Sequence, residues 1–143
     1  MARIRTIKPE FWTHHIMGRV SDSVKCMAIA LLNHADDEGY FLADPHIIRS
    51  ACRPFDDDSR SSHGLITELS RIGWIELCKT DEGFLLGRVV KFKENQVINR
   101  PKTSKLKGSW NSHGLITDAS LTHHTRNGME WNGMEQGREH ILS

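Results

Sequence analysis

Residues 56–90 read DDDSRSSHGLITELSRIGWIELCKTDEGFLLGRVV, and this stretch decides the fold class. The pattern predicts a helix that begins among Asp56, Asp57, Asp58 and Ser59 and stops near Gly73. A hydrophobic strand follows, then a turn at Thr80, Asp81, Glu82 and Gly83, then a second strand. A helix feeding a hairpin is the back half of a winged helix-turn-helix, with the hairpin tip as the wing. Leu65, Leu69 and Ile72, flanked by Ile66, form one apolar stripe. Arg60, His63, Thr67 and Arg71 fall on the opposite side, with Glu68 off to its edge. Such a face can meet phosphates and base edges in a groove. The same residues also fit the solvated face of an ordinary amphipathic helix. Gly64 costs about 1 kcal/mol relative to Ala inside a helix, which points to a close backbone approach or a later helix start.

Working upstream, Pro54 ends a helix opened by Asp44 as N-cap and Pro45 at the first helical position, with Ile47, Ile48 and Ala51 expected to face inward. Before it, Tyr40, Phe41 and Leu42 read as a very short strand, and Asp36, Asp37, Glu38 and Gly39 as the turn ending an earlier helix. That helix is capped by Ser21 and carries the stripe Val24, Ala28, Leu31 and Ala35, widened by Met27 and Leu32. The first residues, MARIRTIKPEFW, place Arg3, Arg5 and Lys8 on an extended arm, with Phe11 and Trp12 plugging it onto the core. Basic arms of this kind reach into minor grooves; a strand with a solvated basic side fits equally well. Asp56, Asp57 and Asp58 suit helix capping and dipole stabilisation better than a metal site, because no glycine spacing or partner acid completes a calcium loop.

Downstream, Lys91, Phe92 and Lys93 are expected to extend the last strand, and Trp74, Ile75, Leu77, Phe84, Leu86 and Val89 to complete the core. Residues 102–143 are rich in Ser, Gly, Asn, His and Thr and read as largely disordered, with Trp110 and Trp131 isolated among them. Two repeats fall here. Ser-His-Gly-Leu-Ile-Thr occurs at 62–67 and again at 112–117, and Asn-Gly-Met-Glu at 127–130 and 132–135. Their offsets do not make a solenoid. The second copy of the hexapeptide could mimic the first, or reflect chance or gene-level duplication.

The 143 residues allow one domain plus a tail, and the net charge of +1 does not by itself announce a nucleic-acid binder. The charge is unevenly spread. Residues 91–107 hold six cations against Glu94 alone, and residues 34–58 hold seven anions against Arg49 and Arg53. This asymmetry predicts a molecule with one basic side. Cys26, Cys52 and Cys78 make no disulfide framework and fit a reducing cytoplasm. No membrane-spanning run, secretory leader, metal-ligand spacing, phosphate loop or Ser/His/Asp order is present, so no membrane association, metal, cofactor or enzymatic activity is expected.

Ile4-Arg5-Thr6-Ile7-Lys8-Pro9-Glu10-Phe11-Trp12 resembles the opening of a family of bacteriophage and prophage replication-initiation (replisome organiser) proteins. Asp36-Asp37-Glu38-Gly39 with Ala43-Asp44-Pro45 looks like that family's acidic turn, and Pro54-Phe55-Asp56-Asp57-Asp58 is similar to its next linker. Asn95-Gln96-Val97-Ile98-Asn99-Arg100-Pro101-Lys102 resembles the segment that closes the domain. The resemblance covers residues 1–107. It implies a winged-helix domain that recognises a replication origin on double-stranded DNA and a C-terminal part that recruits a replicative helicase or its loader. Little globular sequence follows Lys107 here, which leaves open a regulator, a truncated copy or an inhibitor.

The expectation is therefore an α+β chain in a bacterial cytoplasm. It has a basic arm (1–20), a winged helix-turn-helix domain (21–93), a basic extension (94–107) and a low-order tail (108–143). Arg60, His63, Thr67 and Arg71 would serve the groove and Lys79 the wing. Arg3, Arg5 and Lys8 would serve the arm. Lys91, Lys93, Asn95, Gln96, Asn99, Arg100, Lys102, Lys105 and Lys107 would hold phosphates. Origins with repeated half-sites would suit a homodimer. The competing reading is a winged-helix module that binds or inhibits a replication or host-defence protein instead of DNA.

Overall fold

The computed structural model describes residues 3–56 and 59–116, apart from the side chains of Ser59 and Arg60. A short helix, α1 (Glu10–Thr13), precedes α2 (Asp22–His34), β1 (Tyr40–Leu42), α3 (Pro45–Cys52), α4 (Ser59–Arg71), β2 (Ile75–Lys79), β3 (Leu85–Val89) and a four-residue helix, α5 (Phe92–Asn95). From α2 to β3 the order is helix, short strand, helix, helix, strand, turn, strand. The class is α+β, with one antiparallel three-stranded sheet in the order β1-β3-β2.

Local chemistry sets most boundaries. Ser21 Oγ accepts the Val24 amide at 3.2 Å and starts α2. Asp44 accepts the amides of His46 and Ile47 at the head of α3, with Pro45 in the position where a missing N–H costs nothing. α4 is closed off by Gly73, two residues past its end, whose φ of 86° lets Trp74 N–H reach Leu69 O at 3.0 Å and Gly73 N–H reach Ser70 O at 3.2 Å. These two bonds satisfy carbonyls that the last turn leaves open. The hairpin turn closes through Thr80, whose amide donates to Phe84 O and whose hydroxyl accepts the Phe84 amide.

One face of the sheet meets α2, α3 and α4. Val24, Met27, Ala28, Leu31 and Leu32 of α2 are buried there with Ile48, Ile66, Leu69, Ile75, Leu77 and Val89. Phe41 crosses from β1 over Gly87 of β3, and a β-carbon at Gly87 would stand 2.2 Å from that ring. A single extra methyl there would drive the ring out of the core.

Several expectations are corrected. The last strand stops at Val89. Val90 N–H still pairs with Trp74 O, but beyond Trp74 the neighbouring chain has turned into α4. Lys91 therefore adopts φ 61° and Phe92 folds inward as part of α5. Phe84 belongs to the hairpin turn, 58% exposed, and not to the core. Phe11 is buried edge-on against Trp74, whereas Trp12 stays 53% exposed. On α3 only Ile48 is buried; Ile47 and Ala51 are exposed.

The largest correction concerns the tail. Residues 102–116 form a strap across the other face and the outer edge of the sheet. Lys102 N–H donates to Asp37 Oδ2 and Ser104 N–H to Glu38 Oε2, each at 2.9 Å, and Ser104 Oγ pairs with Asp36. The Trp110 ring packs edge-on against Tyr40, with the Arg88 guanidinium 4.7 Å from its centroid. Asn111 brackets the buried Cys78 thiol with its amide and carbonyl. Leu115 then bridges Cys78 in antiparallel fashion, and Ile116 N–H donates to Leu77 O at 3.0 Å. Several of the strap's anchors are backbone amides, which composition does not display. The Asn-Gly-Met-Glu repeat and Trp131 lie outside the described residues.

Candidate nucleic-acid interface

α4 packs against α2, α3 and β2. Its buried arc is centred on Ser62, Ile66 and Leu69, while Leu65 and Ile72 are only half-buried. The arc is thus rotated from the stripe the sequence suggested. His63 and Thr67, assigned to the open groove face, are buried, and Thr67 Oγ1 donates to His63 O at 2.9 Å. A helix packed on three elements keeps little free surface, so two of the four groove residues sit inside. Arg71 is half-buried in the last turn, and the Arg60 side chain lies outside the described residues. Among the described residues Ser61 is exposed, and none of them comes within 4 Å of a β-carbon built on Gly64. Ahead of the helix, Asp56 pairs with Arg53 and accepts from Ser61 Oγ. Those partners hold its carboxyl below its ordinary pKa, the Arg53 hydrogen bond first among them.

The basic arm turns inward. Arg5 Nε donates to Leu32 O and Nη2 to Ala35 O, both at 2.9 Å, and Nη2 lies 3.2 Å from Asp37 Oδ1. Its side chain is 3% exposed. Arg5 thus closes the C-terminus of α2, where unsatisfied carbonyls favour a cation. Arg3 faces the same Asp37 at 3.6 Å. Lys8 is exposed, with its ammonium donating to Glu94 O. Gln96, expected on phosphates, is buried. Its carbonyl accepts the Thr6 amide and its NH2 donates to Thr6 O, locking the arm to the chain after α5. Asn95 supplies the carbonyl that takes the Thr6 hydroxyl.

The acidic and basic blocks separated in sequence meet in space, so the expected one-sided charge is reduced. Lys93 and Lys107 lie 3.3 and 3.2 Å from Glu38 Oε1. Glu38 is pulled down to about 2, first by the Ser104 amide and then by Lys107. Asp37 is lowered chiefly by the Lys102 amide. The side chains of Lys91, Arg100, Lys102 and Lys105 are exposed and have no carboxylate partner among the described residues, and Asn99 is exposed beside them in sequence. Lys91 adjoins two recesses. One, of about 730 Å³, lies between the arm and the α4–β2 junction and includes Lys8, Phe11, Ile72 and Trp74. The other, of about 300 Å³, gathers Arg88, Lys93 and Lys107 with Glu38, Glu76 and Glu94.

At the hairpin, Lys79 is exposed as expected, but Asp81 and Glu82 are exposed on the turn beside it. Phe84 at the tip was missed as a surface residue, as was Phe55, 97% exposed before α4. A Phe directly after a turn glycine is a signal for the former; the linker ahead of α4 gives none for the latter.

No family model, curated protein or solved structure matches the chain. No helix among the described residues is long and apolar enough to cross a membrane.

Proposed function

We propose that the chain is a winged-helix protein that binds double-stranded DNA sequence-specifically and acts in initiation of replication in a phage or prophage. The replication assignment rests on the resemblance of residues 1–107. The observation that carries the DNA reading is that Lys91, Arg100, Lys102 and Lys105 stand exposed without carboxylate partners among the described residues, in the segment that follows a helix-plus-hairpin unit. The small residues Ser61 and Gly64, with no described residue within 4 Å of a β-carbon built on Gly64, suit close approach of α4 to a groove. Cations that neutralise phosphates release counterions, and log affinity falls by roughly 0.9 per phosphate for each unit of log salt.

Fluorescence anisotropy on fragments from the protein's own genomic neighbourhood, at two salt concentrations, tests this. Replacing Lys91, Arg100, Lys102 and Lys105 together with Ala should flatten the salt slope by up to about 3–4 units and weaken specific and random duplexes alike, because phosphate contacts carry little sequence information. An unchanged slope removes these residues from the interface.

A second reading, a protein-binding module, draws on the wing tip. Asp81, Glu82 and the exposed Phe84 suit a basic, apolar protein surface better than phosphate. Loss of partner binding in Phe84→Ala, with DNA affinity absent in the wild type, would favour it.

A further inference from the structure

The track that holds the strap is a composite peptide site. At one end the carboxylates of Asp36, Asp37 and Glu38 take two backbone amides, a hydroxyl and an ammonium. In the middle Tyr40 and Arg88 form a slot for the Trp110 indole. At the far end the outer edge of β2 takes Leu115 and Ile116. An open sheet edge pairs with any extended chain that fits it. The occupant seen here is this chain's own residues 102–116.

The connector to that occupant is weakly held. Val97 is 89% exposed, Asn99, Arg100 and Pro101 are exposed, and Ile98 alone among residues 97–101 packs against the core. Arg100 has φ 54°, a region that residues with a β-carbon rarely adopt. Pro101 follows it, and the ring of a proline drives the preceding residue toward extended backbone. The closed arrangement therefore holds its connector in a conformation that both Arg100 and Pro101 disfavour. An extended connector would relieve this and carry residues 102–116 away from their own sheet. Short, strained hinges of this type favour exchange of an identical element between copies.

We propose that residues 102–116 exchange between two copies of the chain, each strap filling the carboxylate, indole and β2-edge track of the other to give a two-fold dimer. Every contact of the closed form is remade, so the cost of association is set against the relaxed connector. This dimer does not depend on the DNA reading.

The test uses the full chain. Light scattering after size exclusion, from micromolar to millimolar concentration, should show a dimer that grows with concentration. In a dimer assembled from one ¹⁵N-labelled and one ¹³C-labelled copy, Trp110 ring protons should show nuclear Overhauser contacts to the Tyr40 of the other label. Arg100→Gly, which removes the hinge strain without touching the track, should shift the equilibrium toward monomer. A chain that remains monomeric at millimolar concentration overturns the proposal. So does a dimer whose Trp110–Tyr40 contacts all fall within one label, or one that Arg100→Gly leaves unchanged.

Discussion

The pentapeptide Ser-His-Gly-Leu-Ile occupies two places in this molecule and takes two structures. At residues 62–66 it is the middle of α4; at residues 112–116 it is a 3₁₀ turn followed by an extended pair on the edge of β2. The difference teaches that these five residues prescribe no conformation of their own. In the first copy Ile66 is 1% exposed, and the helix is imposed by packing on α2, α3 and β2. In the second, Asn111 accepts the His113 amide and starts a short turn, after which the open β2 edge takes over the hydrogen bonding. Tertiary contacts override local propensity in both.

Matched substitutions sharpen this contrast. Ile66→Ala should cost about 2–5 kcal/mol in a denaturant melt, as buried cavity-forming truncations do. Ile116→Ala, at a half-buried site, should cost about 1 kcal/mol or less. Equal losses would mean that the strap is as integral to the core as α4.

The two glycines should respond with opposite signs. A β-carbon on Gly114 would stand 2.4 Å from Lys79 O, a backbone atom that cannot step aside. Gly114→Ala should therefore lift the end of the strap and cost about 1–3 kcal/mol, the range for overpacking, with Trp110 fluorescence red-shifting. Gly64→Ala meets open space on a helix and should stabilise by up to about 1 kcal/mol. It should also weaken DNA binding if this part of α4 enters a groove. A stabilising Gly114→Ala would break the comparison.

The smallest effect on global stability should come from acid. Glu38 has its pKa depressed from 4.5 to about 2 by groups of the strap and Lys93. A carboxyl depressed in the folded state contributes stability that is complete above its unfolded value and is lost as pH falls through the folded one. Trp110 fluorescence should thus report strap release between about pH 4.5 and 2, while the helical circular dichroism of the first copy holds to lower pH. Simultaneous loss of both signals would show that strap and domain unfold as one unit.

The element order was legible because its punctuation is local. Ser21, the Asp44-Pro45 pair, Gly73 and Gly83 each act within a few residues of where they stand. The inward roles of Arg5 and Gln96 were not legible. The carbonyls that Arg5 serves belong to a helix end 27 and 30 residues away, and the arm that Gln96 holds is 90 residues away. A cation reads the same whether it faces phosphate or a helix terminus. His63 and Thr67 failed for a related reason: periodicity locates an apolar stripe but does not reveal how many neighbours a helix has. The charge blocks at 34–58 and 91–107 were read as giving the molecule one basic side, but spacing in sequence does not show that the two blocks meet, through Glu38, Lys93 and Lys107.

Asp37 has a consequence for synthesis. One of its carboxylate oxygens is held by Arg5, 32 residues behind it, and the other by the amide of Lys102, 65 residues ahead. As the chain leaves the ribosome, both partners of the first bond emerge with α2, whereas the amide of the second emerges only after the whole hairpin. For that interval the acidic turn has a free oxygen and β2 an uncovered edge, in a molecule otherwise nearly complete. A nascent chain that has emerged as far as the hairpin, with residues 102–116 still inside the ribosome, would present an adhesive domain, and neighbouring copies on one polysome would be the first to meet it.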